Sequence, residues 1–112
     1  MQPTYLPILY LEGVDASVLQ EISAGLEEEG VPFSCIKVED SGQEAAMLGY
    51  QAAALSSLGV GIGVTAGGRC AICHEMLECS SPYYSGAVAN SRLVGHNAAR
   101  LVKGMPLKVE VR

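Results

Sequence analysis

The sequence predicts a three-layer α/β domain with a mixed sheet. Three observations carry this. Short β-prone apolar runs alternate with longer stretches of helical periodicity, in the order β-α-β-α-β-β-β-α. The third and fourth strands are separated by only four residues, too few for a parallel crossover, which needs a dozen or more; they must run antiparallel. At 112 residues, 49% of them hydrophobic and 17% charged, the chain suits one domain with a well-buried core.

Each element has its own local cause. Tyr5 to Leu11 is apolar and β-prone, the first strand. Asp15 or Ser17 can cap the following helix, whose core face holds Val18, Leu19, Ile22 and Leu26. Gly30 ends that helix and Pro32 confirms the stop. Phe33 to Val38 is the second strand, followed by the turn-rich Glu39-Asp40-Ser41-Gly42. A second helix is expected from about Gln43 to Ser57, a third strand over Val60 to Val64, and a fourth over Arg69 to His74 after Thr65-Ala66-Gly67-Gly68. Tyr83 to Val88 reads as a fifth strand, and the alternating Leu107 to Val111 as a short edge strand or ordered tail. In the last helix Val94, Ala98, Leu101 and Val102 share one face, while Arg92, His96, Arg100 and Lys103 lie away from it. Arg100 and Lys103 suit the negative end of the helix dipole, Gly104 is a natural left-handed cap, and Pro106 prevents continuation. Asn97 falls near the apolar face, so its amide needs a partner, and it is expected to brace a neighbouring loop.

The net charge of −5 hides an asymmetry. Residues 1–91 hold eleven acids against Lys37 and Arg69, a balance of −9; residues 92–112 hold five basic side chains against Glu110, a balance of +4. No dominant basic surface exists for nucleic acid. A basic C-terminal helix docked in an acidic domain and two oppositely charged partner faces both fit this pattern. No apolar run approaches the ~20 residues of a membrane span. Met1 to Leu11 lacks the basic region and cleavage site of a secretory signal, so a cytoplasmic protein is expected.

Among the motifs, Cys70-Ala71-Ile72-Cys73-His74 is the most conspicuous. It matches the c-type haem attachment pattern, but that chemistry belongs to exported proteins. A zinc site would combine Cys70 and Cys73 with His74 or Cys79, and a redox site would use Cys70 and Cys73. On a strand, residues three apart point to opposite faces, which favours simple burial of the two thiols. Gly59-Val60-Gly61-Ile62-Gly63 lies inside a strand followed by another strand. Close helix packing therefore explains it better than a dinucleotide loop.

Two segments need a cation or a partner. Glu27-Glu28-Glu29 ends a helix against its dipole, Glu27 and Glu28 facing outward and Glu29 nearer the core edge. The turn is either solvated or a docking site for a metal or a cationic side chain; magnesium prefers one or two carboxylates plus waters. From Ala45 to Leu58 there is no charge, and Met47, Leu48, Tyr50, Leu55 and Leu58 spread around much of the helix. Such a helix docks on a partner, with Met47, Tyr50 and Leu55 the candidates, or is overlaid by its own chain. No nucleophile–base constellation accompanies His74 and His96, so no catalytic residue is assigned.

Leu26-Glu27-Glu28-Glu29-Gly30-Val31-Pro32-Phe33 and Gly95 to Gly104 together resemble the small subunit of diol/glycerol dehydratase reactivase. Chain length and element order agree, so the resemblance spans nearly the whole chain; Thr65 to Tyr84 departs from it, and His96 stands where relatives often have Asn. It implies a three-layer α/β/α domain of the anticodon-binding-domain-like kind, with a mixed five-stranded sheet and one antiparallel strand. It implies a non-catalytic subunit whose partners are an actin-like or heat-shock-like large ATPase subunit and the dehydratase subunits. That complex releases damaged, adenine-lacking cobalamin by subunit exchange, ATP and cobalamin acting on the partner subunits. The resemblance also places a magnesium ligand between subunits at Glu28, with Glu27 a poorer candidate. A homo-oligomer in isolation and association with a bacterial microcompartment are both compatible with it. Two other readings stand beside this one: a medium subunit of the cobalamin-dependent dehydratase itself, which usually carries an N-terminal segment ahead of the first strand, and a small zinc or thiol-redox protein using Cys70 and Cys73.

Overall fold

A computed structural model of the chain describes residues 5–39, 42–66, 69–76, 84–87 and 90–105. Its elements are β1 (Leu6–Leu11), α1 (Ala16–Glu28), β2 (Phe33–Val38), α2 (Ala45–Leu55), β3 (Val60–Val64), β4 (Arg69–His74), β5 (Tyr84–Ala87) and α3 (Ser91–Lys103). The strands form one sheet in the order β2-β1-β3-β4-β5. β1 pairs in parallel with β2 and β3, and β4 runs antiparallel to both β3 and β5. This is the mixed α/β arrangement predicted by the element order, and the short β3–β4 connection enforces its antiparallel step. The strand expected over 107–111, and Tyr83, Val88, Pro106 and Cys79, lie outside the described residues.

Period-two alternation sorts the strands between two cores. Leu6 and Ile8 of β1, Val60, Ile62 and Val64 of β3, and Cys70 and Ile72 of β4 pack with Ile22, Leu26, Val94, Ala98 and Ala99 of α1 and α3. Leu9 and Leu11 turn to the other face and meet Leu48 and Ala52 of α2. Ala71 and Cys73 meet Ala45 and Ala53 beside them. Each fully buried Leu or Ile contributes about 1.5–3 kcal/mol.

β3 presents Gly61 and Gly63 to α2, and the fit is close enough to exclude a side chain. A Cβ at Gly63 would fall on the Ala45 carbonyl oxygen and the Gly49 nitrogen, and one at Gly61 on the Ala53 nitrogen. The glycine-rich strand is thus a packing surface, as its sequence context implied.

The second helix is shorter than the expected Gln43–Ser57. Glu44 and Ser56 are both extended at its two ends. Ser56 is fully buried; its hydroxyl donates to the Tyr5 carbonyl oxygen and accepts from the Leu58 N–H at 3.1 Å. That tie to the start of β1 draws the chain out of the helix. Among the described residues no helix is long and apolar enough to cross a membrane.

Candidate functional site

The feature with most chemistry is the seam between α1 and α3. Asp15 starts α1 by accepting from the Ser17 N–H at 3.0 Å. The helix ends in a Schellman turn: Gly30, at φ 76°, donates to the Glu27 carbonyl and Val31 to that of Leu26. Asn90 caps α3 by accepting from the Leu93 N–H, and Gly104 at φ 70° closes it in the same way as Gly30. The helices touch backbone to backbone, because a Cβ at Gly95 would fall on the Ile22 carbonyl oxygen and one at Gly25 on that of Arg92.

This close approach brings the acidic rim of α1 against the basic rim of α3. Arg92 donates from Nε and Nη2 to Glu21, at 3.2 and 3.0 Å, and from Nη1 to Glu28 Oε2 at 3.0 Å. His96 lies between two carboxylates, Nε2 2.8 Å from Glu28 Oε1 and Nδ1 2.7 Å from Glu29 Oε2. Arg100 Nε reaches Glu29 Oε2, and Lys103 Nζ reaches Glu29 Oε1, both at 3.0 Å; Lys103 also donates to the Glu29 carbonyl oxygen at 2.8 Å. Arg92, His96 and Arg100 stand four residues apart, and Glu21 and Glu28 two turns apart. Each set therefore shares one helix face.

The seam is graded in burial. Arg92, Glu21 and Glu28 are 40–49% exposed, and such pairs contribute ~0–1 kcal/mol each. The Glu29 side chain is 9% exposed and is met by His96, Arg100 and Lys103. The His96 hydrogen bond, then that of Lys103, hold its carboxyl down at about 2 against an ordinary 4.5. Glu28 and Glu29, two of the three acids that oppose the α1 dipole, are thereby offset by α3. Of the two charge readings, the docked basic helix is the one the structure displays over residues 92–103.

The sequence-derived candidates distribute as follows. Glu28 has both carboxylate oxygens hydrogen-bonded by α3, and Glu27 is exposed. Among the described residues no group of three or more His, Cys, Asp or Glu could hold a metal ion. The donor set of this chain does not by itself fit a resident magnesium: an ion at Glu28 would compete with Arg92 and His96. His96, expected on the surface, is only 13% exposed because the α1 carboxylates cover it. Asn97 is buried and not left without a partner.

The zinc and redox readings of the cysteines are not favoured. Cys70 and Cys73 are buried on opposite faces of β4, in separate clusters, so their thiols cannot converge. Burial pushes the Cys70 thiol up to about 11, and Cys73 Sγ donates to the Ala46 carbonyl oxygen at 3.4 Å. His74 accepts from the Met76 N–H through Nδ1. On α2, Met47 and Leu55 are exposed, whereas Tyr50 is partly buried against the Ala45–Ala53–Ala71–Cys73 cluster.

The described residues thus define a mixed α/β domain whose two outer helices are cross-tied by charge. The chain belongs to the dehydratase medium subunit family, which it matches over residues 3–108. More particular likenesses are to reactivating-factor subunits. The chain is 40% identical over 93 residues to the probable glycerol dehydratase-reactivating factor small subunit of Citrobacter freundii, covering 80% of this chain and 79% of that one. It is 33% identical over 108 residues to the diol dehydratase-reactivating factor small subunit of Klebsiella michiganensis, covering 92% and 82%. Among solved structures it resembles glycerol dehydratase reactivase, with a TM-score of 0.89 and 38% identity over 96% of this chain and 98% of that chain. It also resembles a diol dehydratase-reactivating factor complexed with ADP and Mg2+, with a TM-score of 0.85 and 30% identity over 96% and 100%.

Proposed function

We propose that this chain is the non-catalytic small subunit of a chaperone-like factor that reactivates a glycerol or diol dehydratase. The observation that carries the reading is the near end-to-end likeness to glycerol dehydratase reactivase, at 38% identity and a TM-score of 0.89. The factor releases damaged cobalamin from the inactivated enzyme by subunit exchange. The exchange step is supported by this chain's matching both a family model named for the dehydratase medium subunit and a reactivating-factor small subunit. A chain of this shape can take the enzyme subunit's place on a common partner. The ATPase and its nucleotide are assigned to the large subunit. The grouping of the fold as anticodon-binding-domain-like belongs to the same reading.

The uncharged outer face of α2, at Met47 and Leu55, is assigned to contact with partner subunits. Reading the chain as the dehydratase medium subunit fits the family name, but the similar relatives are reactivating-factor subunits. Co-purification with candidate large and dehydratase subunits, with and without ATP and ADP, tests the assignment. Nucleotide-sensitive capture of a large ATPase subunit is expected. A stable cobalamin-binding complex formed without any large subunit would replace it with the enzyme-subunit reading.

A further inference from the structure

We propose that two copies of this chain pair through the free edge of β2, antiparallel about a two-fold axis at Cys35. The inference stands apart from the functional assignment above. β2 ends the sheet order and pairs on one side only, with β1. The Leu6 N–H donates to the Pro32 carbonyl at 2.9 Å. The parallel register then turns the backbone groups of Ser34, Ile36 and Val38 toward β1. Those of Phe33, Cys35 and Lys37 face away, and no described residue's backbone bonds to them there. An exposed edge is normally blunted by a proline, a bulge or an outward lysine. β2 has no proline, and its six residues pair with β1 in unbroken register. Its one lysine is drawn back, Lys37 Nζ lying 3.3 Å from Glu12 Oε1 just beyond the end of β1.

The outward groups recur at alternate residues, with Cys35 in the middle. An antiparallel axis there sets Phe33 of each copy opposite Lys37 of the other, and every outward N–H meets an outward carbonyl. Axes centred on other residues leave some of these groups unmet. Side-chain charge favours the same axis. Cys35 Sγ lies 3.8 Å from Ser23 Oγ of α1. α1 runs back against β2, so Glu27, one turn beyond Ser23 on the same face, lies level with Phe33. Lys37 of the second copy therefore arrives beside Glu27, which is exposed and takes no part in the seam. The contact repeats across the axis, so the edge complements itself in charge as well as in hydrogen bonding.

Sedimentation equilibrium of the full chain over a concentration series tests this, and a dimer is expected below about 1 mM chain. Lys37→Glu, which sets acid against Glu27, should raise the dissociation constant at least about tenfold. Adding Glu27→Lys to it should restore the wild-type constant, which damage to the fold would not do. The wild type gives a second readout that needs no variant. Diamide takes up the two thiol hydrogens as a disulfide forms, and directly opposed residues have Cα atoms about 5.5 Å apart, within reach of one. The bridge should join Cys35 to Cys35, as located by peptide mass spectrometry. A chain that stays monomeric up to about 1 mM overturns the proposal and leaves the edge to a strand of another protein. A dimer unweakened by Lys37→Glu, not restored by the second change, or never bridged through Cys35 overturns it too.

Discussion

Glu29 is nearly buried and is hydrogen-bonded to Arg100, Lys103 and His96, so its charge is tied to the fold in a way that its neighbour Glu27 is not. Its carboxyl is held at about 2, below the ordinary 4.5, so the native state takes up its proton later than the unfolded chain. The stability it supplies is complete above the ordinary value. It is lost as pH falls from there toward about 2. Glu29→Gln should cost about 1–3 kcal/mol at neutral pH and flatten this part of the acid limb, read by urea unfolding at successive pH values. Glu27→Gln should stay within about 0.5 kcal/mol. If the two variants unfold alike at every pH, the seam is not anchored on Glu29.

The cysteines give a second residue-scale prediction. Cys35 is exposed, while Cys70 and Cys73 are buried and face apart. An alkylating reagent should label Cys35 in the native chain and reach Cys70 and Cys73 only on unfolding, as located by peptide mass spectrometry. Native labelling of Cys73 at the rate of Cys35 would contradict the buried arrangement.

At the scale of elements, what was legible in the sequence is what local pattern determines. The α1 and α3 periodicities, the Gly30 and Gly104 stops and the antiparallel turn between β3 and β4 all have causes within a few residues. The seam does not, since Glu29 and Arg100 meet across 71 residues of chain. Sequence spacing shows an acidic rim and a basic rim but cannot say that they face each other. Gly25 and Gly95 decide it by letting the two helix backbones meet. A methyl group at Gly95 would strike the Ile22 carbonyl oxygen, which has no rotamer through which to escape. Gly95→Ala should therefore destabilise by about 3 kcal/mol in denaturant titration, far more than a small-residue swap on an open helix face. A cost below about 0.5 kcal/mol would mean that the helices stand further apart.

Over the whole molecule, the two sides of the sheet differ in what they leave outward. One side ends in the charged seam of α1 and α3, and the other in α2, which has no charge between Ala45 and Leu55. Its inner face is satisfied by Leu48, Gly49, Ala52 and Ala53, packed on the β3 glycines and on β1 and β4. Met47 and Leu55, 44% and 47% exposed, contribute little to that core. An acidic side chain at either position meets water in the free chain but would be stripped of it in an apolar interface. Met47→Glu and Leu55→Glu should therefore leave circular dichroism and melting nearly unchanged while weakening capture of the large subunit at least about tenfold, a loss of about 1.4 kcal/mol. Tyr50→Ala should behave differently, lowering the melting temperature because its ring leans on the Ala45–Ala53–Ala71–Cys73 cluster. Undiminished capture by both acidic variants, with the fold intact, would move the partner surface away from α2.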